Sequence, residues 1–242
     1  MFYFLERSFW NYPGLVITLI ISLVTVIFLR YFIASVIYKI LLERFFHTKR
    51  NSFKERSSQI KREIRWAMLS SLIFALLCAI SLLAYQYELT AIYVDVETYP
   101  WTYFFASPVI VVLLYETYYY WLHRWMHQPR VFKIIHKVHH DSILPTVFTA
   151  FSFHPLEALL QFIFFPVLII FIPLHPIMIG VIFTALTISA MVNHSGAEVY
   201  GTRSLQKHII GSTHHDLHHR MFKFNFGLTL TWWDKWMKTE YK

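Results

Sequence analysis

Residues 66–85 read WAMLSSLIFALLCAISLLAY, a run of twenty residues without a charge, and this run is the strongest indication of the protein's architecture. As a helix it would be about 30 Å long at roughly 1.5 Å per residue, which matches the hydrocarbon core of a bilayer. Of the 242 residues in the chain, 56% are hydrophobic and only 15% are charged. This composition argues against a water-soluble protein and excludes a disordered chain.

Three further apolar stretches extend the pattern on both sides of this span. They are residues 13–29 continuing past Arg30 to residue 42, residues 103–122, and residues 156–192. The last stretch is too long for one span, and the sequence Pro173-Leu174-His175-Pro176 divides it into two short arms. The sequence therefore predicts four to five transmembrane or hairpin helices.

Lysine and arginine are unevenly distributed between the predicted loops. Residues 39–65 contain nine of them, whereas residues 86–102 contain none. The positive-inside rule makes 39–65 cytoplasmic, and tracing the chain through the spans puts 122–155 and 194–242 on the same side. We therefore expect an all-α integral membrane protein with a cytoplasmic helical cap. Residues 1–242 form one unit, with the N-terminal spans in 1–102.

Histidine is the residue type that points to chemistry, because eleven of the fourteen histidines fall within residues 123–140 and 194–219. Three histidine boxes stand out: HRWMH at 123–127, HKVHH at 136–140 and HDLHH at 215–219. Residues three and four apart share a helix face, so each box is expected to present its imidazoles to one point. The eight box histidines are His123, His127, His136, His139, His140, His215, His218 and His219.

Eight imidazoles exceed the ligands of a single ion, so the boxes predict two metal ions. His194, directly after the hairpin, is a ninth candidate ligand. Cys78 is the only cysteine, which excludes a cysteine-based zinc or iron–sulfur site. Imidazole suits zinc, copper, iron and nickel alike. A site at the membrane surface with access to lipid favours iron and O2, because hydrocarbon C–H bonds resist acid–base chemistry.

The order of the motifs resembles the fatty acid hydroxylase / sterol desaturase superfamily over residues 103–240. Between the second and third boxes stand His154-Pro155-Leu156-Glu157, similar to the sterol-type branch, and Asn193-His194-Ser195-Gly196. The resemblance implies a di-iron membrane oxygenase with its catalytic region in 103–242 and the nine histidines as iron ligands. The family's closing segment commonly ends in Gly-Thr, where this chain has Lys238-Thr239.

Three polar residues are candidates for supporting the ligands. Glu116 lies two helical turns before His123, so it either accepts a hydrogen bond from a ligand ring or pairs, protonated, with a nearby tyrosine. For Glu157 we favour helix capping over ligand support. Asn193 precedes the ninth candidate ligand. His154 is expected to begin a helix or support a ligand, and His214 is left out of the metal site.

No glycine-rich dinucleotide motif is present, so electrons would come from a separate protein, either cytochrome b5-like or a ferredoxin with its reductase. Residues Lys49, Arg50, Lys54 and Arg56 are candidates for attracting such an acidic donor. The aromatic tail 222–236 reads as an interfacial segment, not a nucleic-acid surface. The membrane is the bacterial inner membrane or the endoplasmic reticulum.

The expected reaction is hydroxylation, ahead of desaturation, of a lipid such as a sterol or a fatty acyl chain. The alternative is a non-catalytic, histidine-rich membrane metal protein, either a zinc scaffold or a divalent-metal transporter. A transporter needs ligands along a path near the midplane of the bilayer. The only candidates for such ligands in these spans are Glu116 and Arg30.

Overall fold

The computed structural model describes residues 7–46, 56–201 and 203–241. Over these residues the secondary-structure elements are helices. The membrane part contains α1 (Pro13–Phe45), α2 (Ser57–Gln86), α3 (Trp101–Met126), α4 (Pro155–Phe162), α5 (Phe164–Phe171) and α6 (Pro176–Asn193). The cap contains α7 (Ser212–Met221), α8 (Trp232–Trp236) and a run of short helical turns over 129–140. The predicted all-α architecture is confirmed.

Helices α1, α2 and α6 are long and apolar enough to cross a membrane. The predicted third span lies within α3, which does not reach that hydropathy because tyrosines, tryptophans and Glu116 dilute its apolar residues. Its crossing of the membrane therefore stays a prediction. The predicted hairpin forms: α4 and α5 make one arm, α6 makes the other, and the chain breaks at 172–175 beside two prolines.

Helix α2 begins at Ser57, nine residues before the predicted span. The reason is a buried stripe at helical spacing that continues through the polar stretch. The stripe comprises Ile60, Glu63, Ala67, Ser70, Ser71 and Phe74. Residues 57–65 therefore belong to the helix and not to the loop in which the charge pattern placed them.

The two ends of the helical bundle are held by different contacts. At one end Tyr103 donates a hydrogen bond to the carbonyl of Pro173 (2.9 Å), and the His175 ring donates to Val94 (3.1 Å). At the other end Arg62, near the start of α2, donates to the carbonyl of Asp141 (2.9 Å). The basic start of α2 and the second histidine box thus share one end, as the predicted topology requires. Lys49, Arg50 and Lys54 lie outside the described residues.

Candidate metal centre

The nine candidate histidines come together at this end in two neighbouring groups. The first group contains His123, His127, His136, His140 and His218, and the second contains His139, His194, His215 and His219. Within each group the ligand nitrogens lie within 4.8 Å of one another. Eight of the nine side chains are buried, and His127 is half-buried. His214 joins neither group.

The histidine boxes are divided between the two groups, which differs from the expectation that each box serves one point. In the second box His136 and His140 join the five-histidine group, whereas His139 joins the four-histidine group. In the third box His215 and His219 share a group and His218 joins the other. Histidines four residues apart therefore stay together, and the histidine between them points to the other group.

Most rings are oriented through their Nδ1 atom, which donates to an oxygen on the protein. The recorded pairs are His123 to Phe226 O (2.8 Å), His218 to Phe224 O (2.7 Å), His139 to Ser152 O (3.3 Å), His194 to Ala190 O (2.6 Å) and His136 to the Glu157 carboxylate (2.8 Å). A carbonyl oxygen only accepts, so four of these five rings must carry their proton on Nδ1. Their Nε2 lone pairs are then free to bind a cation.

Burial keeps these rings neutral. Removal from water lowers the pKa of His194 to about 4 and holds the pKa of His136 and His139 well below the ordinary value, with the neighbouring imidazoles lowering the latter two further. Neutral imidazole is the form that binds a metal ion. The electrostatics of the centre therefore favour ligation.

The facing Nε2 atoms test whether metal ions fit these residues. His139 and His194 approach each other with their Nε2 atoms 3.2 Å apart, and His123 and His136 do so at 3.1 Å in the other group. With the protons on Nδ1, each contact sets two lone pairs against each other, and a cation between them relieves the repulsion. Ligand nitrogens on a metal with bonds of about 2.0–2.1 Å are separated by roughly 3.0–3.4 Å. The residues present fit one metal ion in each group.

Glu157 supports a ligand directly. Its wholly buried carboxylate accepts from His136 Nδ1 and from the Gln161 amide (3.0 Å). The capping that we favoured for Glu157 is performed by His154, whose ring accepts from the Leu156 amide (3.3 Å). Glu157 is therefore free to fix the tautomer and direction of the His136 ring.

Glu116 acts at a distance from the ligands, on the segment 226–230. Its buried carboxylate accepts from the backbone amides of Leu228 and Thr229, each at 2.9 Å, and from the amide of Leu230 (3.2 Å). It also contacts the Thr229 hydroxyl. Neither expected partner, a ligand ring or a tyrosine, is the one observed. Glu116 instead secures the segment 226–230, in which the carbonyl oxygen of Phe226 accepts a hydrogen bond from His123.

Asn193 and Asp234 hold the same segment from other sides. The Asn193 amide donates to the carbonyl of Leu228 (2.6 Å) and does not contact a histidine ring. Asp234 accepts from the amides of Phe226 (2.8 Å) and Gly227 (2.9 Å). Sequence reasoning missed Asp234, although its place in the WWDKW motif of the tail was visible.

The aromatic tail packs against the histidine groups, and its position at the membrane interface stays a prediction. The backbone carbonyls of Phe224 and Phe226 accept hydrogen bonds from the rings of His218 and His123. Phe222 and Asn225 adopt positive φ angles of 62° and 63°. These left-handed residues bend the tail so that its carbonyls turn toward the rings. Trp232 and Trp236 remain exposed.

Glu63 is a further residue that sequence reasoning missed. Its fully buried carboxylate accepts from the hydroxyls of Ser142 (2.7 Å), Thr146 (2.6 Å) and Thr149 (2.8 Å). These contacts tie the loop after the second box to α2, and this loop carries the Ser152 carbonyl that orients His139. The i, i+3, i+7 spacing of Ile60, Glu63 and Ala67 is the signal that would have placed Glu63 on the buried face of the helix.

A cavity of about 350 Å³ leads from the four-histidine group into the membrane part. His139 and His194 lie in its wall, together with Phe153, Phe162 and Phe183. A second, almost entirely apolar cavity of about 270 Å³ shares wall residues with it and extends to Tyr85 and Leu174 at the far end. Cavities of this size and polarity suit a small apolar ligand.

Comparisons with known proteins agree on one group. The sequence model of the fatty acid hydroxylase family matches residues 108–239. Delta(7)-sterol 5(6)-desaturase of Gibberella zeae is 29% identical over 179 residues, which are 74% of this chain and 55% of that protein. Lathosterol oxidase of Homo sapiens is 29% identical over 180 residues, 74% of this chain and 60% of that protein.

Delta(7)-sterol 5(6)-desaturase of Saccharomyces cerevisiae is 33% identical over 116 residues, which are 48% of this chain and 31% of that protein. The chain thus spans less than two thirds of the length of these relatives. No solved structure matches it.

Proposed function

The chain belongs to the fatty acid hydroxylase family, and from that premise we propose that it is a membrane oxygenase with two iron ions. It uses O2 and external electrons to hydroxylate, or to desaturate, a C–H bond of a lipid. The observation that carries this proposal is the pair of histidine groups beside an apolar cavity. The cavity reaches His139 and His194, so a lipid lying in it meets the four-histidine group first.

The choice of iron rests on the kind of reaction. The similar proteins are named as a desaturase and an oxidase, and both names denote the removal of electrons from a substrate. Zinc has no redox chemistry, whereas iron supplies one-electron and O2 chemistry when bound. Five histidines would hold one iron and four the other.

The remaining parts of the chain prepare the centre for this chemistry. Glu157 and the backbone carbonyls of the tail hold the rings in the tautomer that leaves Nε2 free. The phenylalanines of the cavity wall exclude water and leave room for an apolar chain. The lipid substrate enters from the bilayer, and a separate protein, cytochrome b5-like or a ferredoxin with its reductase, supplies the electrons at the basic end.

Metal analysis tests the proposal first. Protein purified without oxygen is expected to hold about two irons per chain, in line with two ligand groups. His215→Ala is expected to lose iron, because His215 belongs to the four-histidine group, while its neighbour His214→Ala keeps it. Stoichiometric zinc in protein from metal-replete cells would instead support the zinc scaffold.

The reaction is tested by the lipid profile of cells that express the wild-type chain or His139→Ala, supplied with labelled O2 and a suitable electron donor. A lipid that gains one labelled oxygen in the wild type alone establishes a hydroxylase. A lipid that loses two hydrogens without label establishes a desaturase. Identical profiles in cells that contain the candidate lipids would contradict the oxygenase.

A further inference from the structure

Arg30 is a cation in the middle of an apolar helix, and the metal centre does not use it. It stands in α1 seventeen residues after Pro13 and fifteen before Phe45. At about 1.5 Å per residue, either end of the helix is more than roughly 20 Å away. Its guanidinium donates to the Thr187 hydroxyl of α6 (3.0 Å), and Thr187 lies six residues before the end of that helix.

The charge of Arg30 is not balanced by the described part of the chain. Among the described residues no carboxylate forms an ion pair with it, and Thr187 is a neutral partner. An arginine within a bilayer is costly unless it is paired or solvated, so such a residue is a functional candidate by default. The side chain remains exposed, which leaves its other N–H groups accessible to a ligand.

Arg30 and Thr187 line the same cavity as His139 and His194. Thr187 lies in α6, and His194 directly follows the last residue of this helix, seven residues after Thr187, which corresponds to roughly 10 Å along the helix axis. The other wall residues are mostly aromatic and aliphatic. A molecule in the cavity thus meets one cationic position and, about 10 Å away, the four-histidine group.

We propose that Arg30 determines substrate specificity by binding the anionic head group, a carboxylate or a phosphate, of the lipid that occupies this cavity. This inference rests on the proposed function for the fate of the lipid, but not for its binding. A guanidinium pairs with either anion through two parallel hydrogen bonds. The pair would neutralise Arg30 and place a carbon of the apolar chain, roughly 10 Å from the head group, at the histidines.

Equilibrium binding to the full chain in detergent tests the proposal without turnover. The probes are hexadecanoate, hexadecyl phosphate and the neutral 1-hexadecanol, which share one chain length. Wild-type protein is expected to bind at least one of the anions about tenfold or more tightly than the alcohol, the value of a charge-assisted hydrogen bond. Arg30→Gln is expected to abolish that preference, and Arg30→Lys to retain part of it.

Two control variants separate the cavity from other sites. Arg44→Gln, an exposed arginine in the last turn of the same helix, is expected to keep the wild-type preference. Gly180→Leu places a side chain into the cavity where a Cβ meets no atom within 4 Å, so all three probes are expected to bind more weakly. An anion preference that survives Gly180→Leu would mean that Arg30 contacts surrounding lipid, and it would overturn the assignment.

Equal affinity of wild-type protein for the three probes, or an undiminished preference in Arg30→Gln, would equally overturn it. Unchanged iron content and thermal stability of Arg30→Gln exclude loss of fold as the cause of a lost preference. Because binding is measured without O2 or electrons, a chain that held zinc would still give a result here. The two proposals can therefore fail independently.

Discussion

At the scale of single residues, the pitch of the helix explains why consecutive histidines belong to different histidine groups. Neighbouring positions on a helix are about 100° apart, whereas positions four apart are nearly aligned. His139 and His140 therefore diverge into separate groups, as do His218 and His219. Each box of three histidines therefore contributes to both groups and keeps them close together. The ring centroids of His140 and His219, which belong to different groups, are 4.5 Å apart.

The hydrogen bond from His136 to Glu157 gives the first prediction. Glu157→Gln keeps the shape of the side chain but replaces the carboxyl group that the ring N–H faces with an amide. Loss of such a partner typically weakens metal binding about 10- to 100-fold. Iron retention against a graded chelator is expected to fall by that factor. Glu43→Gln, on the exposed surface of α1, is the control, and equal retention in both variants would contradict the role of Glu157.

Lys238 gives a prediction about stability. Its φ of 56° lies in the left-handed region, which costs a non-glycine residue about 1–2 kcal/mol, and the family resemblance implies glycine at this position. Its neighbour Thr239 is fully engaged, donating through its hydroxyl to Asp234 (2.8 Å). Lys238→Gly is therefore expected to stabilise the protein by about 1 kcal/mol, a rise in Tm of roughly 2–4 °C.

A thermal melt beside Lys61→Gly provides the comparison. Lys61 is exposed in the regular part of α2, where glycine is expected to cost about 1 kcal/mol. Opposite signs for the two substitutions identify backbone strain as the cause. A lower Tm for Lys238→Gly would show that the lysine side chain contributes more than its conformation costs.

At the scale of elements, the loop after the second box depends on α2. Glu63→Ala leaves the hydroxyls of Ser142, Thr146 and Thr149 without their acceptor, at about 1–3 kcal/mol for each buried group that stays unpaired. We expect a loss of about 3 kcal/mol or more in local stability, seen as faster hydrogen exchange over residues 142–152.

The exposed Glu43→Ala serves as the matched control for that measurement, because its ion pair with Lys39 is a surface pair that typically contributes less than about 1 kcal/mol. Faster hydrogen exchange in Glu63→Ala that is confined to residues 142–152 would identify Glu63 as the residue that supports this loop. Unchanged exchange over 142–152 would mean that the loop is held by its backbone contacts alone.

For the molecule as a whole, the charge pattern predicts the orientation in the membrane. The structure places the basic start of α2 and the metal centre at one end of the bundle, and the acidic segment 87–100 at the other. With Cys78→Ser as background, Lys137→Cys is expected to react with an impermeant maleimide in inside-out vesicles. Glu97→Cys is expected to react in right-side-out vesicles. The reverse labelling pattern would place the metal centre outside the cytoplasm.

Features that depend on local spacing and composition could be predicted from the amino-acid sequence. The apolar runs marked α1, α2 and the hairpin, since burying backbone in lipid demands uninterrupted helices. The histidine boxes indicated the candidate metal ligands, because no packing requirement explains eleven histidines within two short segments. His154 was expected to begin a helix, and its ring caps α4.

Contacts between segments that are distant in the chain became visible only in the folded protein. Glu63, Glu116 and Asp234 are separated by up to 171 positions in the chain, yet each holds a loop near the same centre. The sequence around a single carboxylate does not reveal its hydrogen-bond partner, because hydrogen bonds between segments depend on how the helices pack. For the same reason the sequence did not reveal that each three-histidine box contributes to two groups, or that Arg30 lies beside the cavity.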